Sequence, residues 1–254
     1  RVPIPDSRFP IPDSQAMPLA ILYRDDRFAV VNKPAGLMVH DSKLARGETE
    51  FAADALRAQF GGPIHLVHRL DRATSGCLLV AFDRDAASAL GKAVMSREMG
   101  KDYLAVCRGW PEPPHGLIDH PLDGGPGKPD KRPAVTAYRT LATGELPLPC
   151  AGFPTARFSL LLCSPQTGRF RQIRRHLKHL RHPLVGDTSH GDGQRNRMFR
   201  SELGVHRMLL HAWRLRFTHP FTGEGIVAHA PLDADFHRVL ERFGWTQAVQ
   251  RLAH

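Results

Sequence analysis

The apolar residues of this chain fall in short runs, each bounded by Gly, Pro, Asp or Asn, and the period changes from run to run. Ile21–Tyr23 and Phe28–Val31 flank the polar turn Arg24-Asp25-Asp26, a hairpin pattern that Pro34 and Gly36 interrupt. Thr49 is placed to cap a helix through about Phe60, ended by Gly61-Gly62. Cys77–Phe82 reads as a buried strand, and Asp83 as the cap of a helix running to about Met99. Lys101–Arg108 alternates as a strand does, and residues 109–133 form a long loop or a pair of short edges. Val135–Leu141 and Arg157–Cys163 read as strands. Gln172–Leu180 is a short basic helix with Ile173, Leu177 and Leu180 on one face. Residues 186–206 read as a second long polar loop. Met208–Phe217 and Gly225–His229 are strands, and Asp233–Phe243 a C-terminal helix. Strands scattered among helices with hairpin-length connections imply an α+β fold, with a mixed, mostly antiparallel sheet flanked by helices and long loops. Residues 1–18 hold five prolines in a near-repeat, VPIPDS then FPIPDS, and read as a flexible extension. Residues 19–254 show no internal boundary and read as one domain.

Several classes drop out. An apolar share of 42% excludes a wholly disordered chain. No apolar run is long enough to span a bilayer, and the Pro-rich start has no secretory core. Cys77, Cys107, Cys150 and Cys163 form no CxxC pair, and three of them sit in apolar runs; a reducing compartment, the cytoplasm, is expected. No phosphate-loop or dinucleotide motif is present, so no nucleotide cofactor is expected.

The net charge of +10 is unevenly placed. Residues 169–216 carry 12 basic residues, all arginine except Lys178, against 3 acidic ones. Arginine forks suit phosphate and stack on bases, so this segment reads as a nucleic-acid footprint or as an ordinary basic face.

The densest chemistry is His68-Arg69-Leu70-Asp71-Arg72-Ala73-Thr74-Ser75-Gly76. Arginine beside a carboxylate favours its charged form, which a nucleophile or general base needs. The plainer reading is a turn in which Asp71 accepts from the amide of Ala73 or Thr74.

HRLDRATSG resembles the motif HRLDxxTSG of the RluA-type pseudouridine synthases. VVNKPAGLMVH, KDYLAVCRG, TGRFRQIRRHL, HPLVGDTSHGD and MLLHAWRLRFTHPFTGE are similar to further motifs of that family, in the same order. The likeness covers about residues 20–245, and RRHLKHLRHP with HGDGQRNR is closest to the tRNA-modifying C branch. The resemblance implies an isomerase that converts a uridine of RNA to pseudouridine, at uridine 65 of tRNA. The alternatives are a ribosomal RNA substrate, or an RNA-binding module without catalysis. It implies Asp71 as the catalytic aspartate and Arg174 as its basic partner. Tyr103 is implied as a ring that packs on uracil and assists proton removal. It further implies that Leu210 packs beneath the base and that Arg69 fills the stack after the uridine leaves. His68, Arg72, Arg169, Arg171, Arg175 and Lys178 are expected to contact RNA. Arg171 stands where the family usually has His, which adds charge and should alter RNA contacts while retaining the chemistry. Without the family, Tyr103 would be a strand tyrosine, Arg174 a solvated helix arginine and Leu210 core.

Such an isomerisation needs no redox or group-donating cofactor, and none is expected; the partner is RNA and the chain a monomer. His176, His179, His182 and His190 suggest a zinc site by type. Yet their spacing sweeps round a helix crowded with Arg and Lys, which disfavours a cation, and no metal is expected.

Overall fold

In the computed structural model, residues 18–40, 51–150 and 152–252 are described. The hairpin forms as expected: β1 (Ala20–Arg24) and β2 (Phe28–Lys33) pair antiparallel. Asp25 fixes the turn by accepting from the backbone of Arg27 and Phe28 at 2.7 and 2.9 Å. β2 then pairs with β4 (Ser75–Ala81), every residue of which is buried. A two-residue β3 (His65–Leu66), too short to carry a periodic signal, also lies against β4.

One ten-stranded sheet runs in the order β1-β2-β4-β9-β5-β8-β7-β6. Its remaining members are β5 (Gly100–Arg108), β6 (His115–Asp119), β7 (Val135–Leu146), β8 (Ala156–Pro165), β9 (Leu210–Thr218) and β10 (Gly225–His229), which pairs with β9. The ladders are antiparallel except β4 with β9, which is parallel over Ser75–His211 and Gly76–Ala212. This is the mixed, mostly antiparallel α+β architecture that the spacing implies.

The helices cover the sheet, and their boundaries have local causes. α1 (Ala52–Phe60) starts after Phe51, which offers no side-chain cap. The amides of Ala52 and Ala53 bond instead to the carbonyls of Met38 and Val39. Thr49 lies outside the described residues. α2 (Arg84–Met95) is capped by Asp83, which accepts from Ala86. It stops four residues before the expected Met99. Ser96 turns its hydroxyl back to the carbonyls of Lys92 and Ala93, and Arg97 adopts φ 64°. α3 (Gln172–His179) buries Ile173 and Leu177.

The expected polar loop 186–206 contains a helix, α4 (Gly193–Leu203). Its Arg-rich composition masks three buried apolar residues, Met198, Phe199 and Leu203, and it has both caps, Asp192 in front and Gly204 at φ 63° behind. α5 (Ala234–Phe243), capped by Asp233, is followed by a short α6 (Thr246–Gln250) that sequence periodicity does not reveal. Phe158, Phe199, Phe236, Trp213 and Trp245 form the core under α4 and α5. Among the described residues no helix is long and apolar enough to cross a membrane.

Candidate active site

Asp71 lies just before β4, at the end of the sheet where β4, β9 and β5 are adjacent. Gly76 makes that junction possible. Its φ is +108°, and a Cβ there would sit 2.2 Å from the carbonyl oxygen of Ala212 on the parallel neighbour. Asp71 is in a turn, but its backbone carbonyl, not its carboxylate, accepts from Thr74 at 3.0 Å. The carboxylate is left for Arg174.

Arg174 Nη1 donates to Asp71 Oδ2 at 2.8 Å. The other edge of the same guanidinium donates in fork geometry to Asp187, Nε at 2.7 Å and Nη2 at 2.9 Å. The side chain of Arg174 is 7% exposed, that of Asp187 0% and that of Asp71 27%. Arg174 is therefore not a solvated helix arginine but a buried cation between two carboxylates. Asp187 also accepts from the amides of Ser189 and His190. Burial works to raise the Asp187 pKa, but Arg174 and those amides outweigh it and hold the carboxyl below its usual range. Asp187 stands in the motif segment HPLVGDTSHGD, but nothing local in the sequence marks it as a site residue. Gly186 before it needs φ +79°, with Arg207 backbone 2.0 Å from any added Cβ.

Tyr103 sits on β5 directly after a bulge at Asp102. Asp102 is buried and anchors the strand through Arg214, Arg216 and Ser164, the last donating at 2.6 Å. Tyr103 packs between two apolar clusters, one with Leu70 and Ala212, the other with Ile173 and Leu210. Burial, and secondarily the charge of Asp71, pushes its phenol pKa upward, so it keeps its proton at neutral pH.

Behind Asp71, Lys33 is fully buried and donates Nζ to the carbonyls of Pro34, Leu37 and Arg72 at 2.7, 2.8 and 3.2 Å. Gly36 donates its amide to the same Arg72 carbonyl. The NKPAG segment is thereby stapled to the Asp71 turn. Burial and the nearby Arg207 push the Lys33 pKa down to about 7. Its role was legible only as part of the motif.

A cavity of about 750 Å³ opens at Asp71. His68, Arg69, Asp71, Arg72, Tyr103, Arg169, Arg171, Arg174 and Leu210 all line it. His68 uses Nε2 to accept from the amide of Leu79, and burial lowers its pKa to about 4, so it presents a neutral ring. Arg72 donates to the Gly36 carbonyl, and Arg169 to that of Pro133. Arg171 begins α3 at φ 51° with its guanidinium over the Phe170 ring. Two expected contacts lie elsewhere. Arg175 is committed to Asp123 at 2.7 Å, and Lys178 lines a separate depression.

Gln172 fixes the α3 entry by accepting from Thr167 and Arg169 while donating to Val135 and Thr136. Thr136 donates on to His176, whose Nε2 donates to the His120 carbonyl. His182 bonds the Arg108 carbonyl and His179 stacks on His120 at 3.8 Å. These histidines are thus occupied individually rather than converging.

The family model described as RNA pseudouridylate synthase matches residues 27–179, which contain Asp71, Tyr103 and Arg174. The chain belongs to this family. It is 44% identical over 240 residues to a tRNA pseudouridine synthase C of Vibrio parahaemolyticus, covering 91% of this chain and 97% of that one. A protein of the same name from Salmonella typhi is 42% identical, covering 89% and 90%. Among solved structures, human RNA pseudouridylate synthase domain containing 4 superposes with a TM-score of 0.67 at 26% identity, covering 88% of this chain and 92% of that one. The human domain-containing-1 protein gives 0.65 at 30%, covering 84% and 83%. Family membership makes this chain an RNA pseudouridine synthase, and the cavity at Asp71 is the candidate site of the isomerisation.

Proposed function

We propose that the chain converts a uridine of tRNA to pseudouridine, with Asp71 as the nucleophile or base. One observation carries the assignment: the Asp71 carboxylate is aimed into a cavity lined by Tyr103 and Leu210 by an arginine that is itself clamped on a second carboxylate. The reaction exchanges the uracil N1–C1′ bond for a C5–C1′ bond and releases the hydrogen on C5. Nothing is oxidised, and no group is donated.

The side chains suit each demand of that exchange. Uracil must be held while detached, and the cavity supplies the ring of Tyr103 above an apolar floor at Leu210. Tyr103 acts through its face, since its phenol holds its proton. Flipping the uridine out of a stem costs a few kcal/mol, offset by stacking in the pocket and by Arg69 entering the vacated stack. Arg69 is exposed at the cavity mouth, free of the fold's own ion pairs among the described residues. Arg169, Arg171 and Arg72 line the path of the phosphates. The tRNA substrate, at uridine 65, rests on the likeness to tRNA pseudouridine synthase C proteins. A monomer in the cytoplasm fits this reading.

Tritium release from transcripts carrying 5-³H-uridine tests the proposal. Wild type should release tritium from unmodified tRNA, without added metal or nucleotide. Asp71→Asn should abolish release while RNA affinity stays within about threefold. Release by Asp71→Asn at the wild-type rate would overturn the aspartate's role; release from ribosomal RNA alone would overturn the substrate.

A further inference from the structure

A second depression, of about 480 Å³, adjoins the active site through one loop. Thr188 and Ser189 line the catalytic cavity, and the next five residues, His190 to Gln194, line this depression. Four cations surround it: Arg108, Lys178, Arg181 and Arg197.

Their balance is uneven. Asp192 is the acidic residue of the lining, and its carboxylate is fully used. It accepts from Arg108 at 3.0 Å, from Arg195 at 2.6 Å, and from the amides of Gln194 and Arg195 at the start of α4. The N-terminus of α4 is therefore capped by the protein itself. Lys178, Arg181 and Arg197 have no ion pair or side-chain hydrogen bond among the described residues. All three are exposed. His190 adds a buried Nε2 with no hydrogen-bond partner.

Arg181 is placed against local preference. It holds φ 62° at the end of α3, a position that favours glycine or asparagine. Three unbalanced cations drawn from two elements, spread over an open depression, suit an extended polyanion better than a single small anion.

We infer that this depression binds the phosphate backbone of the substrate RNA beyond the flipped uridine, with Arg181 and Arg197 as principal contacts. The inference rests on the proposed function and gives the RNA a direction, from Asp71 across Thr188 and Ser189 towards α4.

The test compares wild type with the double variant Arg181→Ala, Arg197→Ala on an unmodified tRNA transcript. Kd is measured across a series of KCl concentrations, with steady-state tritium release in parallel. The double variant should bind about tenfold more weakly at moderate salt, with a log–log salt slope shallower by about two. KM should rise in step while kcat changes less than about twofold. Arg181→Lys with Arg197→Lys should recover most of the slope, because phosphate accepts a point charge. Arg242→Ala with Arg251→Ala, exposed cations outside both cavities, should leave the slope unchanged. An unchanged slope and KM in the Arg181, Arg197 double alanine variant would overturn the inference. So would binding of inorganic phosphate in the depression that leaves the RNA Kd unchanged at constant ionic strength, which would identify a free-anion site. Absence of tritium release from wild type would instead refute the proposed function, leaving the binding slopes to judge the depression by themselves.

Discussion

Asp71 and Arg174 are 103 residues apart in the chain and 2.8 Å apart in the fold. Arg174 cannot follow Asp71 freely, because Asp187 grips its other edge with two bonds. The position of the reacting carboxylate is thus set by a residue that lies on the far side of the arginine. Asp187 in turn is held by the loop amides that follow it.

Asp187→Asn is therefore expected to damage turnover more than binding. An amide preserves the shape but leaves a buried guanidinium short of charge, a loss on the order of 3–5 kcal/mol when a buried pair is broken. A misplaced reacting group costs about a hundredfold in rate. The expected outcome is a kcat about two orders of magnitude lower, a melting temperature several degrees lower and RNA affinity within about threefold. Unchanged kcat alongside a lower melting temperature would make Asp187 a purely structural residue.

Tyr103→Phe and Tyr103→Ala separate the ring from the hydroxyl. Stacking of a base on an aromatic side chain is worth about 1–3 kcal/mol. Tyr103→Ala should lose about tenfold to a hundredfold in kcat/KM, and Tyr103→Phe only a few-fold, measured by tritium release from tRNA. A Phe variant as poor as the Ala variant would mean that the phenol proton, not the ring, is what the reaction uses.

The strands and capped helices were legible because their signals are local. Asp25 turns a hairpin, Asp83 and Asp233 cap helices, and residues 77–81 of β4 are an unbroken apolar run. α4 was not legible, because three buried apolar residues among arginines give little periodic signal, and only the tertiary core under it makes the helix worthwhile. In the site, Asp71, Tyr103 and Arg174 were found through motif likeness, not through spacing; each alone favoured a plainer role. Asp187 and Lys33 stood inside quoted motifs, yet their work depends on partners remote in the chain, Arg174 for one and the Arg72 carbonyl for the other. Arg175 looked identical to its neighbours in sequence but faces Asp123 instead of the cavity.

Gly76→Ala and Gly36→Ala contrast close approach with backbone conformation alone. Both glycines have positive φ, +108° and +90°. At Gly36 nothing lies within 4 Å of a new Cβ, so the substitution costs only the conformational strain, about 1–2 kcal/mol. At Gly76 the Cβ would meet three backbone atoms of Ala212 between 2.2 and 2.8 Å, and β4 would have to separate from β9. Gly76→Ala should unfold at markedly lower denaturant than Gly36→Ala, and should lose turnover as the Asp71 turn shifts. Equal midpoints for the two variants in urea titration would show that the parallel β4–β9 contact yields easily.

His211 gives the fold a defined weakness to acid. Its Nε2 meets the Ala230 carbonyl, so that nitrogen carries the proton and Nδ1 accepts from the Ser75 hydroxyl, itself accepting from Arg207. Burial, with the charge of Arg207 adding to it, pushes the His211 pKa down to about 4. An unfolded histidine titrates near 6.5. Between those values the unfolded chain takes up a proton that the folded chain refuses, so stability is full above about 6.5 and is lost as pH falls towards 4. The loss from one such group approaches about 3 kcal/mol. His68 is displaced in the same direction, and burial also lowers the pKa values of His120, His176, His190 and His229, so wild type should lose stability through several histidines over this window. His211→Gln, less stable at neutral pH, should lose only the share of the remaining histidines, and the gap between the two proteins should narrow as pH falls from 7 to 5. Parallel urea-derived stability curves over that range would mean that His211 accepts its proton in the folded state, with Ser75 turning its hydroxyl away to allow it.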